Sequence, residues 1–537
     1  MLLQPTISNP PFHHPHPNPH VSLSYPSSSL TFPSRFPNWV HLNPLNIHKN
    51  PIFITFSSQV NSYEKRSMQK WKEVYRKISR MEKPELGPSS VLNQYENATK
   101  SLTKWELSRI VKELRKFRKF KLALEVYEWM ANRPERFRMS TSDAAIQLDL
   151  ISKVQGISAA EQYFLKWSDG LKDNRIYGSL LNAFVRAKMK EKAESLIDKM
   201  RNLGYANHSL PFNVMMTLYM NLKDYDKVDS IVSEMMEKGI PFDIYTYNIW
   251  ISSCGSRLSL EKMEQAYEQM KMDTSINPSW TTFSTMATMY IKLEQPEKAE
   301  DCLKKLESKI TGQDRIPFHY LISLYGSLGN KDEVLRIWNN YKSLFQNIPN
   351  LGYHAVVSSL VRMGDIEAAE EIYESWLSVK SSYDPRIANV LLGWYVRKGL
   401  ADKAESFFNQ IIEVGGKPNS MTWEILAEGH IRNSKISEAL SCLKNAAETE
   451  GSKSWKPKPV NVSFLLKLCE QEADTSSKDA LMEILNKMGC LENEQYMSYI
   501  QLSDEPFTNN ISTMENIKSD DNEDETEVLL SQLHDRL

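Results

Sequence analysis

Two sets of polar side chains recur along the chain at near-constant spacing. Arg186, Lys292, Arg362, Arg397 and Arg432 are separated by 106, 70, 35 and 35 residues; Asn213, Asn248, Ser284 and Asn389 by 35, 36 and 105. A row of guanidinium and ammonium groups on one face can meet phosphates, the sequence-independent part of nucleic-acid affinity. A side-chain amide offers both a donor and an acceptor, which is what recognition of a base edge requires. The competing reading leaves the same residues as solvated helix surface on a scaffold that binds protein.

Catalytic constellations are not evident beside them. The five cysteines form no CxxC pair, so neither a disulfide framework nor a zinc site of the usual spacing is expected. The deaminase pattern HxE…PCxxC is missing. Gly415-Gly416-Lys417 lacks the earlier glycine of a phosphate loop. The acidic run at 520–525 lies in a tail poor in apolar residues, whereas a metal-dependent nuclease needs carboxylates held on rigid elements. His13, His14, His16 and His20 fall in a segment expected to be removed. No enzyme activity, cofactor or metal is expected.

The elements that must carry these residues are repeats. An aromatic ladder runs Tyr177, Phe212, Tyr247, Phe283, Phe318, Tyr353 and Trp423, with Ala388 on the remaining rung. Sixteen residues later a second ladder keeps the register: Ala193, Val228, Met263, Ala299, Val334, Ala369, Ala404 and Ala439. Seven further on lies a third: Met200, Met235, Met270, Leu306, Tyr341, Trp376, Ile411 and Ala446. Within one unit Phe212, Met216 and Tyr219, then Val228, Ile231, Val232 and Met235, fall at helical spacing and give two amphipathic stripes. A polar break separates the stripes, and turns such as Lys238-Gly239-Ile240-Pro241 close the units. Each unit is therefore two antiparallel helices that cannot bury their apolar faces alone and must stack. Eleven units are expected over residues 104–493, the one at 139–173 being short and degenerate, in an all-α solenoid. Cys254, Cys302, Cys442 and Cys469 fall on core positions of this register and read as packing residues.

Composition agrees with a helical repeat body between unlike ends. The chain has 537 residues, 41% of them hydrophobic, with few glycines at 19 and a net charge of −2. That near-neutrality argues against nucleic-acid binding through bulk positive charge alone. Residues 64–138 carry 20 basic against 10 acidic side chains, and 64–103 reads as a basic linker or N-terminal cap. Residues 503–537 carry ten acids and two bases; the tail 494–537 is expected to be solvated and disordered. Residues 1–63 hold eleven of the 25 prolines, ten serines and no acid, with the first arginine at 35. Such a segment reads as an organellar transit peptide, and the late arginine favours a chloroplast over a mitochondrion. No apolar run reaches the ~18 residues of a membrane span.

At 34 residues a helix pair would suggest tetratricopeptide repeats, which bind peptides. The period here is 35. With units opening Ser209-Leu-Pro-Phe-Asn and Ile244-Tyr-Thr-Tyr-Asn, and closing Lys238-Gly-Ile-Pro-Phe-Asp243 and Gly416-Lys-Pro-Asn419, the chain closely resembles the plant pentatricopeptide repeat family, in its P-type class, over about residues 100–490. The resemblance implies a right-handed α-superhelix that binds single-stranded organellar RNA and stabilises, processes, splices or helps translate transcripts, alongside other organellar RNA-processing proteins. It also implies that the fifth and last residues of a unit read one base together. Carried over, Asn213 with Asp243 implies U, Asn248 with Ser279 a pyrimidine, Ser284 with Asp314 G, and Asn389 with Asn419 C. The expected core, 5′ to 3′, is U–pyrimidine–G–any–any–C. Gly178, His319, His354 and Glu424, paired with His208, Pro349, Asp384 and Lys458, depart from the family's pairs and give no base. The alternative remains a protein-interaction scaffold of tetratricopeptide type.

Overall fold

A computed structural model describes residues 70–81, 87–98, 101–312, 314–380, 382–449, 455–492 and 496–497. The expected transit peptide 1–63 and nearly all of the acidic tail lie outside the described residues. The described secondary structure is helical, without strands. Helices α1 (70–79) and α2 (Gly87–Ala98) precede eleven pairs. The first helices of these pairs are α3 Lys104–Lys116, α5 Thr141–Val154, α7 Asn174–Arg186, α9 Ser209–Asn221, α11 Ile244–Ser256, α13 Trp280–Lys292, α15 Ile316–Ser327, α17 Asn350–Arg362, α19 Pro385–Arg397, α21 Ser420–Arg432 and α23 Pro459–Gln471. The second helices are α4 Phe120–Ala131, α6 Ile157–Lys166, α8 Lys190–Asn202, α10 Tyr225–Glu237, α12 Leu260–Met272, α14 Pro296–Ser308, α16 Lys331–Leu344, α18 Ile366–Val379, α20 Ala401–Glu413, α22 Ile436–Glu448 and α24 Thr475–Lys487.

Each first helix packs on its own second helix and, from α5 onward, on the next first helix, so α5 to α23 form one continuous layer. The ladders are what they bury. Phe212, Val228 and Met235 are fully enclosed, as are Tyr341 and Leu306; removing a ring such as that of Phe212 would cost ~3–5 kcal/mol. The four cysteines named above are buried too, and burial pushes the Cys254 thiol up to about 11 and that of Cys302 to about 12. Residues 70–98, read from sequence as linker or cap, hold a helix pair: Trp71, Val74, Ile78, Leu92 and Tyr95 join the core of the first units.

The turn inside every unit except 139–173 is equally regular. The fifteenth residue is left-handed, as at Lys223 (φ 56°), Leu258 (φ 59°), Glu294 (φ 54°) and Gly364 (φ 80°). The residue after it returns its N–H to the first helix, as Asp224 does to the Tyr219 carbonyl at 2.8 Å, which closes the helix end in a Schellman turn.

Candidate nucleic-acid interface

The fifth residue of a unit points at the start of the next unit. The Asn213 amide donates to both carboxylate oxygens of Asp243, at 3.0 and 3.2 Å, and its carbonyl accepts from Thr246 Oγ1 at 2.8 Å. Asp243 is the N-cap of α11 and forms a capping box with Thr246; Ser209 Oγ donates to it as well, at 2.6 Å. The arrangement recurs 176 residues on: Asn389 donates to Asn419 Oδ1 at 3.2 Å and accepts from Thr422 Oγ1 at 2.8 Å, with Asn419 capping α21. Both amides are inaccessible, Asn213 at 0% exposure and Asn389 at 7%. Burial works to raise the Asp243 pKa, but the donors Ser209, Thr246 N–H and Asn213 hold it below the ordinary carboxylate range.

The sequence reading paired each fifth residue with the residue that closes its unit. The third residue of the following unit is an equal member, and it decides what the fifth can do. Thr246 and Thr422 complete the two asparagine clasps. His319 faces Gly352, where an added Cβ would lie 3.4 Å from its Nε2; the ring bonds Tyr341 OH at 3.0 Å, and burial, with Arg315 nearby, lowers its pKa to about 4. Glu424 accepts from Trp455 Nε1 at 2.8 Å and from the Lys458 N–H, so it holds the next unit's start as the asparagines do.

In two of the expected pairs the members do not bond each other. In the 36-residue unit 244–279, Asn248 donates to Thr281 Oγ1 at 3.2 Å, and Ser279, the N-cap of α13, bonds Thr281 rather than Asn248. The extra residue leaves Asn248 Oδ1 and Thr282 Oγ1 buried without partners. Ser284 turns its hydroxyl to the Thr281 carbonyl at 2.9 Å, while Asp314 accepts from the Ile316 N–H at 3.1 Å. Asp314 keeps the thirty-residue step from Ser284, but α15 is capped by Arg315, and Pro317 stands where Thr246 and Thr422 complete the other clasps.

The cations expected to line one groove differ among themselves. All five lie at the ends of first helices and are exposed. Arg186 bonds Asp149 Oδ1 at 2.9 Å and Ser152 Oγ at 2.6 Å; Arg362 bonds Ser327 Oγ at 3.0 Å; Arg432 pairs with Glu428 of its own helix at 3.0 Å. Arg397 lies against Gly393, and Lys292 makes no ion pair among the described residues. What separates the bodies of these helices electrostatically is a missing charge type, the nearest carboxylates being their caps Asp173, Asp243 and Asp384, of which the first and last pair with Arg175 and Arg386. From α7 to α19 the seven first helices contain no Asp or Glu, but six cations: Arg175, Arg186, Lys292, Arg362, Arg386 and Arg397. The seven second helices α8 to α20 carry 23 acidic and 14 basic residues.

Sequence reading also missed the second residue of the first helix. Leu210, Tyr245 and Met421 stand exposed there, each beside a fifth-position side chain, and Trp105 occupies the same place on α3. The signal was an apolar residue off the buried stripe at the same step as the clasps.

Several proteins share this pattern. A family model described as "PPR repeat" matches residues 175–205, 245–274, 281–309, 353–379 and 387–416, and one described as "PPR repeat family" matches 210–256. A pentatricopeptide repeat-containing protein of Arabidopsis thaliana is 60% identical over 88% of this chain and 89% of its own length. Another from that plant, named mitochondrial, is 34% identical over 80% and 85%. The plant's large ribosomal subunit protein mL101 is 34% identical over 80% and 88%. Among solved structures, the pentatricopeptide repeat protein PPR10 in complex with an 18-nucleotide psaJ RNA element aligns at 14% identity and a TM-score of 0.46, over 80% of this chain and 65% of that one. Identity of this extent with full-length relatives, together with the repeats themselves, means that the chain belongs to the pentatricopeptide repeat family.

Proposed function

We propose that this protein binds single-stranded RNA along its layer of first helices, as an organellar factor in transcript stabilisation, processing, splicing or translation. The observation that carries the reading is the run of seven first helices without a carboxylate, beside second helices rich in them. A polyanion laid along the first layer meets cations and helix surface; along the second layer it meets repulsion. Leu210, Tyr245 and Met421 add apolar platforms on which bases can stack, a sequence-tolerant contribution of ~1–3 kcal/mol per base. The RNA complex named for PPR10 and the ribosomal name of mL101 fit this setting. The role is binding rather than catalysis.

Base selection on this reading comes from the clasps 213–243 and 389–419. Because Asn213 and Asn389 are enclosed, they orient Asp243 and Asn419, whose half-buried outer edges meet the base. Arg362, Arg397 and Lys292 serve the backbone. The organelle is a plastid on the residues of 1–63, although five relatives are named mitochondrial; fusing residues 1–80 to a fluorescent reporter separates the two. Selection from a random RNA pool, repeated with Asn389→Ser and Asn419→Asp together, tests the clasps. The change should move one position of the selected motif from C towards G, and an unchanged motif would refute base reading by these pairs.

A further inference from the structure

Three first helices converge on one carboxylate near the start of the array. Arg115 on α3, Lys153 on α5 and Arg186 on α7 reach Asp149 at 3.3, 3.2 and 2.9 Å. The Asp149 side chain is 13% exposed, whereas the three cations keep about a quarter to a third of theirs in solvent (36%, 26% and 32%). Burial alone would raise the Asp149 pKa, and the charges of Lys153, Arg186 and Arg115 outweigh it. One carboxylate therefore balances one of three cations, and two positive charges are left at the surface. Arg115 Nε is also buried with no acceptor. Other ion pairs of the array do not have this excess: Arg432 stands against Glu428 alone, and Arg257 against both Asp226 and Asp229. At the other end of α3, Trp105 is 48% exposed, with the Arg109 guanidinium 5.2 Å from its ring centre.

We propose that α3, α5 and α7 form a sequence-independent anchor for single-stranded RNA, in which a backbone phosphate seats on Arg115, Lys153 and Arg186 while a base stacks on Trp105. The anchor rests on the RNA-binding reading above and lies largely ahead of residue 175, where the matched repeats begin. Asp149 acts as its organiser, holding three long side chains in place so that less of their freedom is lost when the phosphate arrives. No clasp of the Asn213 kind stands at this point: the fifth residue of α7 is Gly178. Contacts here should thus add affinity without choosing a base.

The test is equilibrium binding of the full chain to a random-sequence pool of 20-nucleotide single-stranded RNA at several salt concentrations. Arg186→Gln and Lys153→Gln should each weaken binding by roughly 3–10-fold at ~0.1 M salt and lower the log–log salt slope by ~0.7. Trp105→Ala should weaken it ~10-fold with an unchanged slope. Arg186→Lys keeps the charge and should retain most of the affinity; a loss equal to that of Arg186→Gln would assign the effect to packing and overturn the proposal. Lys190→Gln, on α8 and paired with Asp224, should bind as wild type does. If the wild type binds the pool and Arg186→Gln and Lys153→Gln bind it equally well with the same slope, the anchor is refuted and the general reading stands. If the wild type binds no RNA, the general reading falls, and the anchor with it.

Discussion

Units 209–243 and 244–279 both place asparagine fifth, and they differ in length by one residue. In the first, Asn213, Asp243 and Thr246 satisfy one another, and Asp243 caps the next helix at the same time. In the second, the added residue shifts the cap so that Asn248 reaches only Thr281 and its carbonyl is left unpaired. The same side chain is a joint between repeats in one unit and an unfinished contact in the next. Local register, rather than residue type, decides which.

The largest consequence concerns the joint itself. Asp243→Ala removes a helix cap and the acceptor for Asn213 and Ser209, and should destabilise the α9–α11 junction by about 3 kcal/mol. Ser279→Ala, which removes a cap with one backbone bond, should cost about 1 kcal/mol. Hydrogen exchange in the first turns of α11 and α13 reads each junction separately, which suits an array whose units open locally. Equal losses at the two junctions would erase the distinction drawn between them.

A smaller effect separates two working joints by pH. Asp243 has a pKa below its ordinary value of 3.8, so its contribution is present at neutral pH and is lost as pH falls through the folded value. Glu424 is the reverse. Its burial outweighs the bonds from the Lys458 N–H and Trp455, and its pKa lies above 4.5. Its contribution is therefore present at low pH and is lost as pH rises through the folded value. Glu424→Gln should gain on the wild type in stability as pH rises from ~4 towards 7. Thermal midpoints across that range check it, and a gap that narrowed with rising pH would contradict it.

Asn248→Ala should cost less than 1 kcal/mol, against about 2 for Asn213→Ala, because only one weak bond is lost. Smaller still, Lys223→Gly and Glu294→Gly should each stabilise by ~0.5–1 kcal/mol, since both residues hold a left-handed conformation that glycine adopts without strain. Denaturation midpoints of the four variants give the order.

The ladders were legible because thirty-five-residue steps of Phe212, Val228 and Met235 type fall on buried positions at every rung except the partly buried Trp423, so the helix pairs and their stacking could be read directly. The pair α1–α2 was not: Trp71, Val74 and Ile78 make one short stripe inside a charge-rich segment, with no earlier unit to set its register. The positions of the clasp asparagines were legible, but their burial was not. That burial depends on Thr246 and Thr422, 33 residues downstream, and a single helix stripe gives no sign of them. The Asp149 cluster joins three helices at different positions of their units, and the period of the cations marks only Arg186 among its members.

The most direct test of the central claim compares single-stranded and duplex RNA of equal length, binding to the chain from residue 64 onward at 0.05–0.2 M salt. The account predicts tighter binding to the single strand, weakening steeply with salt, and little gain from the duplex's greater charge density. Absence of single-strand binding at the lowest salt, with protein partners that stay bound through ribonuclease treatment, would contradict it and leave the array a peptide scaffold.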